Sequence, residues 1–215
     1  MILADGDIII RPLQMDDAQA LYEAIRESIP EVSRWLPWCH EDYAIEETRE
    51  FIALRSYQGS HQGNHQGSKE SHRGAQQEGT GSLTSDTRPL TSASSGEWYS
   101  FGIFDKETGR FLGGVGLNFV NRAHQIANLG YWVRTSATGR GIASRATRLA
   151  ARIAFEELGL QRIEIVAAVG NLGSQRVAEK AGAVREGVLR KRLLIRGEEL
   201  DSALFSLVRE DLGEW

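Results

Sequence analysis

Apolar and polar positions along the chain change period several times, and each change predicts an element. Ile8-Ile9-Ile10-Arg11-Pro12-Leu13 is a short apolar run closed by proline, the pattern of a first strand. Asp16 follows as an N-cap, and Ala18, Leu21, Ala24 and Ile25 then recur at helical spacing. Trp35-Leu36-Pro37-Trp38 is an aromatic cluster between helices, and Ile45 to Arg55 reads as a further helix. Trp98 to Asp105, Phe111 to Val120 and Ile126 to Val133 are apolar-rich runs separated by turn residues, so they predict successive hairpin strands. Ala146, Leu149, Ala150, Ile153, Ala154 and Leu158 form the apolar stripe of a long amphipathic helix that Gly159 ends. Arg162 to Val169 is a β-branched strand, and Gln175 to Ala181 a short helix closed by Gly182. Two strands around Val184 to Ile195 and Leu200 to Val208 finish the chain. Strands in runs with interspersed helices predict an α+β domain with a mostly antiparallel sheet.

One stretch breaks the pattern. From Tyr57 to Glu97 the chain is rich in Gly, Ser, Gln, Thr and His, and its only sizeable apolar residues are Tyr57, Leu83 and Leu90. Such a segment buries too little apolar surface to offset its ordering entropy, so 57–97 is predicted as a disordered insertion. The domain is then 1–56 together with 98–215. A long loop adds little closure entropy, so the domain can carry it. His61, His65 and His72 lie in this stretch and read as part of a solvated low-complexity tract rather than a metal site.

Composition narrows the function classes. The 215 residues carry 25 Lys and Arg against 29 Asp and Glu, a formal charge of −4, which argues against nucleic-acid binding by bulk charge. With Cys39 alone, neither an intrachain disulfide nor a cysteine-based zinc site can form. A reducing, cytoplasmic setting is the expectation. Met1 to Ile10 holds Asp5 and Asp7 and has the pattern of neither a signal peptide nor a membrane span.

The strongest chemical signal lies between the third hairpin strand and the long helix: Tyr131-Trp132-Val133-Arg134-Thr135-Ser136-Ala137-Thr138-Gly139-Arg140-Gly141-Ile142-Ala143-Ser144. Gly139 and Gly141 allow close approach of a ligand to the backbone. The helix that follows presents unpaired N–H groups and a positive dipole end, so the segment suits a phosphate group. A plain helix-entry turn would also use these glycines. A dinucleotide fingerprint fails because position 144 is Ser, and no Gly-Lys-Ser/Thr of a P-loop is present.

This segment resembles motif A of the GNAT acyltransferases, Gln/Arg-x-x-Gly-x-Gly/Ala, with Thr138 at the first position and Gly141 and Ala143 at the glycine positions. The surrounding text is similar to the RimJ/RimL branch, which includes ribosomal-protein N-terminal acetyltransferases. The matching pieces are Ile9 to Leu13, Trp35 to Trp38, Gly130 to Val133, Asn171 to Ser174, Glu179 to Ala183 and Asp201 to Val208. The resemblance covers the chain except the insertion. It implies a GNAT fold, acetyl-CoA as donor, and no metal. It also implies that backbone N–H groups from Gly139 to Ser144 hold the pyrophosphate, helped by Arg140 and Arg145, while Arg148 reads as a solvated helix position. Tyr131, Trp132 and Val133 would line the pantetheine and thioester, where a main-chain N–H can polarise the carbonyl. Asn171 would contact the pantetheine arm, and Ser174 would donate to the leaving thiolate or relay a proton from water. Both residues are equally explained as a helix cap.

The resemblance expects a carboxylate base at positions that here hold Leu193 and Asn128. Glu97 and Asp201 are other carboxylates in suitable regions. At pH 7 an α-amine of pKa about 7.8 is roughly 14% neutral, against about 0.04% for a lysine of pKa about 10.4. A site lacking a strong base therefore favours a protein N-terminal α-amine as acceptor. A small-molecule amine such as an antibiotic or polyamine, and a non-catalytic acyl-CoA-binding module, remain the alternatives.

Overall fold

The computed structural model describes residues 2–58 and 97–213, with side chains from 55 to 58 left out. The predicted 57–97 insertion, with its three histidines, lies outside the described residues except at its ends. Residues 57 and 58 close a helix and Glu97 opens a strand.

The chain opens with β1 (Leu3–Asp5) and β2 (Ile8–Pro12), joined by a turn at Gly6. The β1 strand was not anticipated from the sequence; three residues are too short to show a period. Helix α1 (Ala18–Val32) follows a 3-10 turn at Met15–Asp17. Asp17, rather than Asp16, holds this entrance: its carboxylate accepts from Gln14 N at 2.7 Å and pairs with both Arg11 guanidinium nitrogens at 2.7 Å. Next come α2 (Ile45–Gln58), β3 (Glu97–Asp105), β4 (Phe111–Asn121) and β5 (Ile126–Val133). Helix α3 (Ile142–Arg152) runs into a π-helical turn at Ile153–Glu157, and Gly159 ends it at φ 65°. β6 (Arg162–Ala168), α4 (Leu172–Lys180), β7 (Val184–Ile195) and β8 (Glu198–Val208) complete the chain. Helix α4 begins three residues before its predicted start because Asn171 caps it.

The eight strands form one sheet in the order β1-β2-β3-β4-β5-β6-β8-β7. Every neighbouring pair is antiparallel except β5 and β6. Alternation along the strands sends side chains to two cores. One face, with Ile10, Ile103, Leu129, Ile163 and Phe205, packs on α3 residues such as Leu149. The other, with Phe104 and Phe111, packs on Leu21, Ile25 and Ile52 of α1 and α2.

The parallel pair gives the fold its main irregularity. β5 and β6 are in register only from Ile126↔Arg162 to Asn128↔Glu164, although β5 continues to Val133 and β6 to Ala168. Beyond Asn128 the two strands diverge and leave an opening in the sheet.

Helix α1 holds the segment that leaves this opening. The Glu27 carboxylate accepts from Ser136 N at 2.7 Å and pairs with the Arg134 guanidinium. Ser28 Oγ accepts from Thr135 N at 3.1 Å, and Thr135 Oγ1 donates to Glu31 at 2.8 Å. Arg134, with the amide of Ser136, pulls the Glu27 carboxyl down to about 2. Its folded value lies below its unfolded one, so its contribution is complete above pH about 4.5 and fades as pH falls through about 2. Glu27→Gln is therefore expected to cost about 1–2 kcal/mol at pH 7, a melting-point drop of about 2–8 °C. Thermal unfolding of both proteins from pH 7 to pH 2 should show this difference shrinking toward the acid end.

Candidate active site

Gly139 and Gly141 both adopt left-handed backbone, at φ 78° and 71°, and Gly141 is the N-cap of α3. The first helical hydrogen bond runs from Arg145 N to Gly141 O at 3.2 Å. The N–H groups from Gly139 to Ser144 precede it, so the helix leaves them without an intrahelical acceptor. A β-carbon at Gly139 would meet nothing within 4 Å, so the space above the turn is open. Most polar side chains of this segment are held by its own backbone. Ile142 is buried, Ser144 Oγ donates to Gly141 O at 2.9 Å, and Thr138 Oγ1 donates to Thr135 O at 2.9 Å. The turn thus offers backbone donors, with Ala143 small enough not to cover them.

The flanking arginines meet a carboxylate from the other end of the chain. Arg140 and Arg145 both pair with Asp7 in the β1–β2 turn, at 3.3 and 2.5 Å, and Arg145 also donates to Asp5 O at 3.1 Å. These contacts join positions more than 130 residues apart, so nothing local in the sequence announces them. Arg148 is half-buried rather than a fully solvated helix position.

Of the three β5 residues, Tyr131 alone bridges the opening. Its hydroxyl donates to Ser174 O at 2.8 Å and lies 3.1 Å from Ser174 Oγ. One phenolic proton serves one acceptor, so with that proton on the carbonyl the Ser174 hydroxyl donates to Tyr131 Oη. Burial pushes the Tyr131 phenol up to about 12. It stays protonated at neutral pH. The Trp132 ring turns to the opposite face, against Trp38 at 5.8 Å and Phe111 at 5.9 Å between centroids. It lies over Gly114, where a β-carbon would sit 2.8 Å from the indole nitrogen. Val133 packs on the first core. Trp132 and Val133 therefore present main chain, not side chain, to the opening. Asn171 Oδ1 accepts from Ser174 N at 3.0 Å, so the capping role of both residues is realised and Ser174 Oγ projects from a fixed helix start.

A cavity of about 530 Å³ has Gly170, the residue before Asn171, in its lining. Its base is the end of β6 with Ala168, Val169 and Gly170; its walls are Ser33, Arg34 and Trp35 after α1 and the β7–β8 hairpin with Arg196, Glu198 and Asp201. The edge of the Trp35 ring lies 3.4 Å from where a Gly170 β-carbon would be. Of the two carboxylates raised from the sequence, Asp201 lines this cavity. Glu97 is instead bound by Arg122 and Tyr99. Asn128 stands at the last β5–β6 pair opposite Glu164, which Arg162 holds at 3.0 Å. Leu193 pairs with Leu200 in the β7–β8 hairpin. Cys39 is fully buried among the α1 and α2 packing residues, and burial pushes its thiol up.

Residues 7–184 match the sequence profile of the acetyltransferase (GNAT) domain family. Two Bacillus subtilis proteins are similar to the chain. YjcK, provisionally named an N-acetyltransferase, is 40% identical over 116 residues, 54% of this chain and 64% of that protein. YdaF, provisionally named a ribosomal N-acetyltransferase, is 36% identical over 103 residues, 48% of this chain and 56% of that protein. The chain thus aligns with somewhat more than half the length of each. Among solved structures, a Vibrio cholerae protein provisionally described as a ribosomal-protein-serine acetyltransferase superposes with a TM-score of 0.70 at 24% identity, over 97% of both chains.

Valine at position 141 would have to adopt φ near 71°, which costs an L-residue roughly 1–2 kcal/mol and a β-branched one more. Gly141→Val is expected to lower the melting temperature and to abolish the added protection given by acetyl-CoA. Thermal unfolding with and without acetyl-CoA checks both.

Proposed function

The chain belongs to the GNAT acetyltransferase family, and on that premise we propose that it moves an acetyl group from acetyl-CoA to a primary amine, the α-amine of a protein or peptide N-terminus. The observation that carries this reading is the Tyr131–Ser174 pair, which joins the diverging edge of β5 to the start of α4, with the left-handed glycine turn following β5.

The residues present fit the donor. Left-handed Gly139 and Gly141 turn the N–H groups up to Ser144 toward open space at a helix start, which suits a pyrophosphate. Bound acetyl-CoA would supply an activated acetyl thioester. The unpaired edge of β5 near Tyr131, Trp132 and Val133 would orient it, with a main-chain N–H toward its carbonyl. Arg140 and Arg145 would reach a phosphate only by leaving Asp7. Asn171 fixes the start of α4, and the Ser174 hydroxyl, already donating toward Tyr131, would turn to donate to sulfur as the thiolate leaves. Tyr131 holds Ser174 in place through its own hydroxyl. A covalent route has no support, because Cys39 is buried in the second core. The acceptor amine would enter through the cavity and attack directly.

Among the described residues, the carboxylates that line the cavity, Asp201 and Glu198, are exposed, without the burial that shapes a strong general base. Such a site works on an amine that is already partly neutral at pH 7, which an N-terminal α-amine is and a lysine is not. The names of YdaF and the Vibrio cholerae protein agree with a ribosomal-protein acceptor. A compartment with free acetyl-CoA, the cytoplasm, follows from this reading.

Acetyl-CoA at about 100 times its dissociation constant should add about 2.7 kcal/mol of stability, a shift of roughly 5–11 °C, with NAD and ATP giving none. Release of CoA should then follow peptide N-termini. Peptides with a blocked N-terminus and a free lysine should be poor acceptors, and a preference for them, or for polyamines, would defeat the reading. Tyr131→Phe should lower kcat about tenfold or more through loss of the Ser174 contact, while acetyl-CoA affinity by titration stays within about threefold.

A further inference from the structure

Four apolar residues of the cavity lining, Trp35, Ala168, Ile195 and Leu200, are members of neither core. Ala168 and Ile195 are nevertheless buried, and Trp35 and Leu200 are half-buried. Separate elements bring them together. Trp35 N donates to Val32 O at 3.0 Å, in a turn at the end of α1, and Val32 packs on the second core. Leu200 stands two residues before Ser202, the register partner of Ala168, so Leu200 and Ala168 share one side of the sheet. Ile195 ends β7 and pairs with Glu198 across the hairpin tip. The charged residues of the lining, Arg34, Arg196, Glu198 and Asp201, are all exposed, two of each sign. Water-exposed charges of mixed sign give a ligand little preference for either.

Apolar surface gathered at a cavity, outside both cores, is the material of a binding site. We propose that this cavity selects acceptors whose first residue carries a sizeable apolar side chain, such as Leu, Met or Phe, and that Trp35, Ile195 and Leu200 receive it. The first residue is singled out by Gly170. The edge of the Trp35 ring lies 3.4 Å from where a Gly170 β-carbon would be, and Gly170 directly precedes Asn171, whose Oδ1 accepts from Ser174 N at 3.0 Å. The residue that brings its amine to Ser174 is thus the one whose side chain comes first to Trp35. The cavity of about 530 Å³ falls within the roughly 300–1,000 Å³ of small-ligand sites, room for one such side chain and its adjoining backbone. Apolar surroundings also disfavour the ammonium form of an amine, so the pocket suits an acceptor that attacks in its neutral form. The proposal rests on the N-terminal reading of the acceptor given above.

The test is steady-state acetylation of matched peptides that differ only in the first residue, Leu, Met or Phe against Ala, Ser, Gly or Asp. A methylene in an apolar pocket is worth roughly tenfold or more in specificity, so the Leu and Met peptides should exceed the Ala and Ser peptides by about tenfold in kcat/KM. Raising the salt from about 50 to about 500 mM should leave that ratio within about twofold, because no charge pair carries it. Trp35→Ala and Leu200→Ser should each reduce the Leu-to-Ser ratio to about threefold or less. Protection by acetyl-CoA in thermal unfolding shows that the variants fold. Equal acetylation across the series, or a preference for Ser or Gly over Leu, would overturn the inference and leave the N-terminal reading standing. So would a Leu preference that survives both substitutions. Acetylation of none of the peptides, with turnover of polyamines or lysine side chains, would overturn both.

Discussion

Backbone amides and carbonyls at the middle of a sheet need partners, and the last residues of β5 lose theirs when β6 turns away after Asn128. The rest of the molecule is arranged around that loss. The opening exists because β6 pairs fully with β8 along its length, from Arg162↔Val208 to Ala168↔Ser202, and so follows β8 rather than β5. The edge left on β5 keeps main-chain polar groups that β6 does not pair. A glycine turn with open N–H groups lies at its end, and α4 starts across the gap from it.

Holding such an opening requires contacts from outside the two strands. Tyr131 spans it on one face through Ser174. On the other face the Trp132 ring is locked against Trp38 and Phe111, made possible by Gly114 beneath it. Past the end of β5, α1 fixes Arg134 to Ser136 through Glu27, Ser28 and Glu31. The glycine turn is therefore suspended between a clamped segment and a buried helix. Its left-handed residues carry the conformational strain in a place where glycine has none. Asp7 adds a negative charge on the β1–β2 side that pairs with both Arg140 and Arg145.

The same geometry separates the glycine turn from the charged cavity. Backbone donors lie at the glycine turn, while charged side chains from the segment after α1 and from the β7–β8 hairpin line the cavity. Backbone donors bind phosphates without regard to what else the molecule carries, which suits a shared donor. Side chains on a hairpin and a helix end can vary without disturbing the sheet, which suits a selected acceptor. The carboxylates divide on the same logic. Glu97 is consumed by Arg122 and Tyr99, whereas Asp201 is oriented by a backbone N–H and keeps a free face.

The sequence determined most of the elements and the family. Ile126 to Val133 was readable as a strand with its bounds intact, and Gly139 and Gly141 marked the turn into a helix, because both are local properties of residue type and period. Gly159 and Gly182 marked helix ends for the same reason. Only the tertiary structure decided which side chains meet. The Tyr131–Ser174 bond, the Glu27 clamp, the Asp7 pairs and the split between Glu97 and Asp201 all join residues remote in sequence. Their distances are set by strand order and by the divergence of β5 from β6. The strand β1 and the Asp17 entrance to α1 fell between these cases. A three-residue strand has no period to read, and adjacent Asp16 and Asp17 are equal as caps until Arg11 on β2 selects one of them.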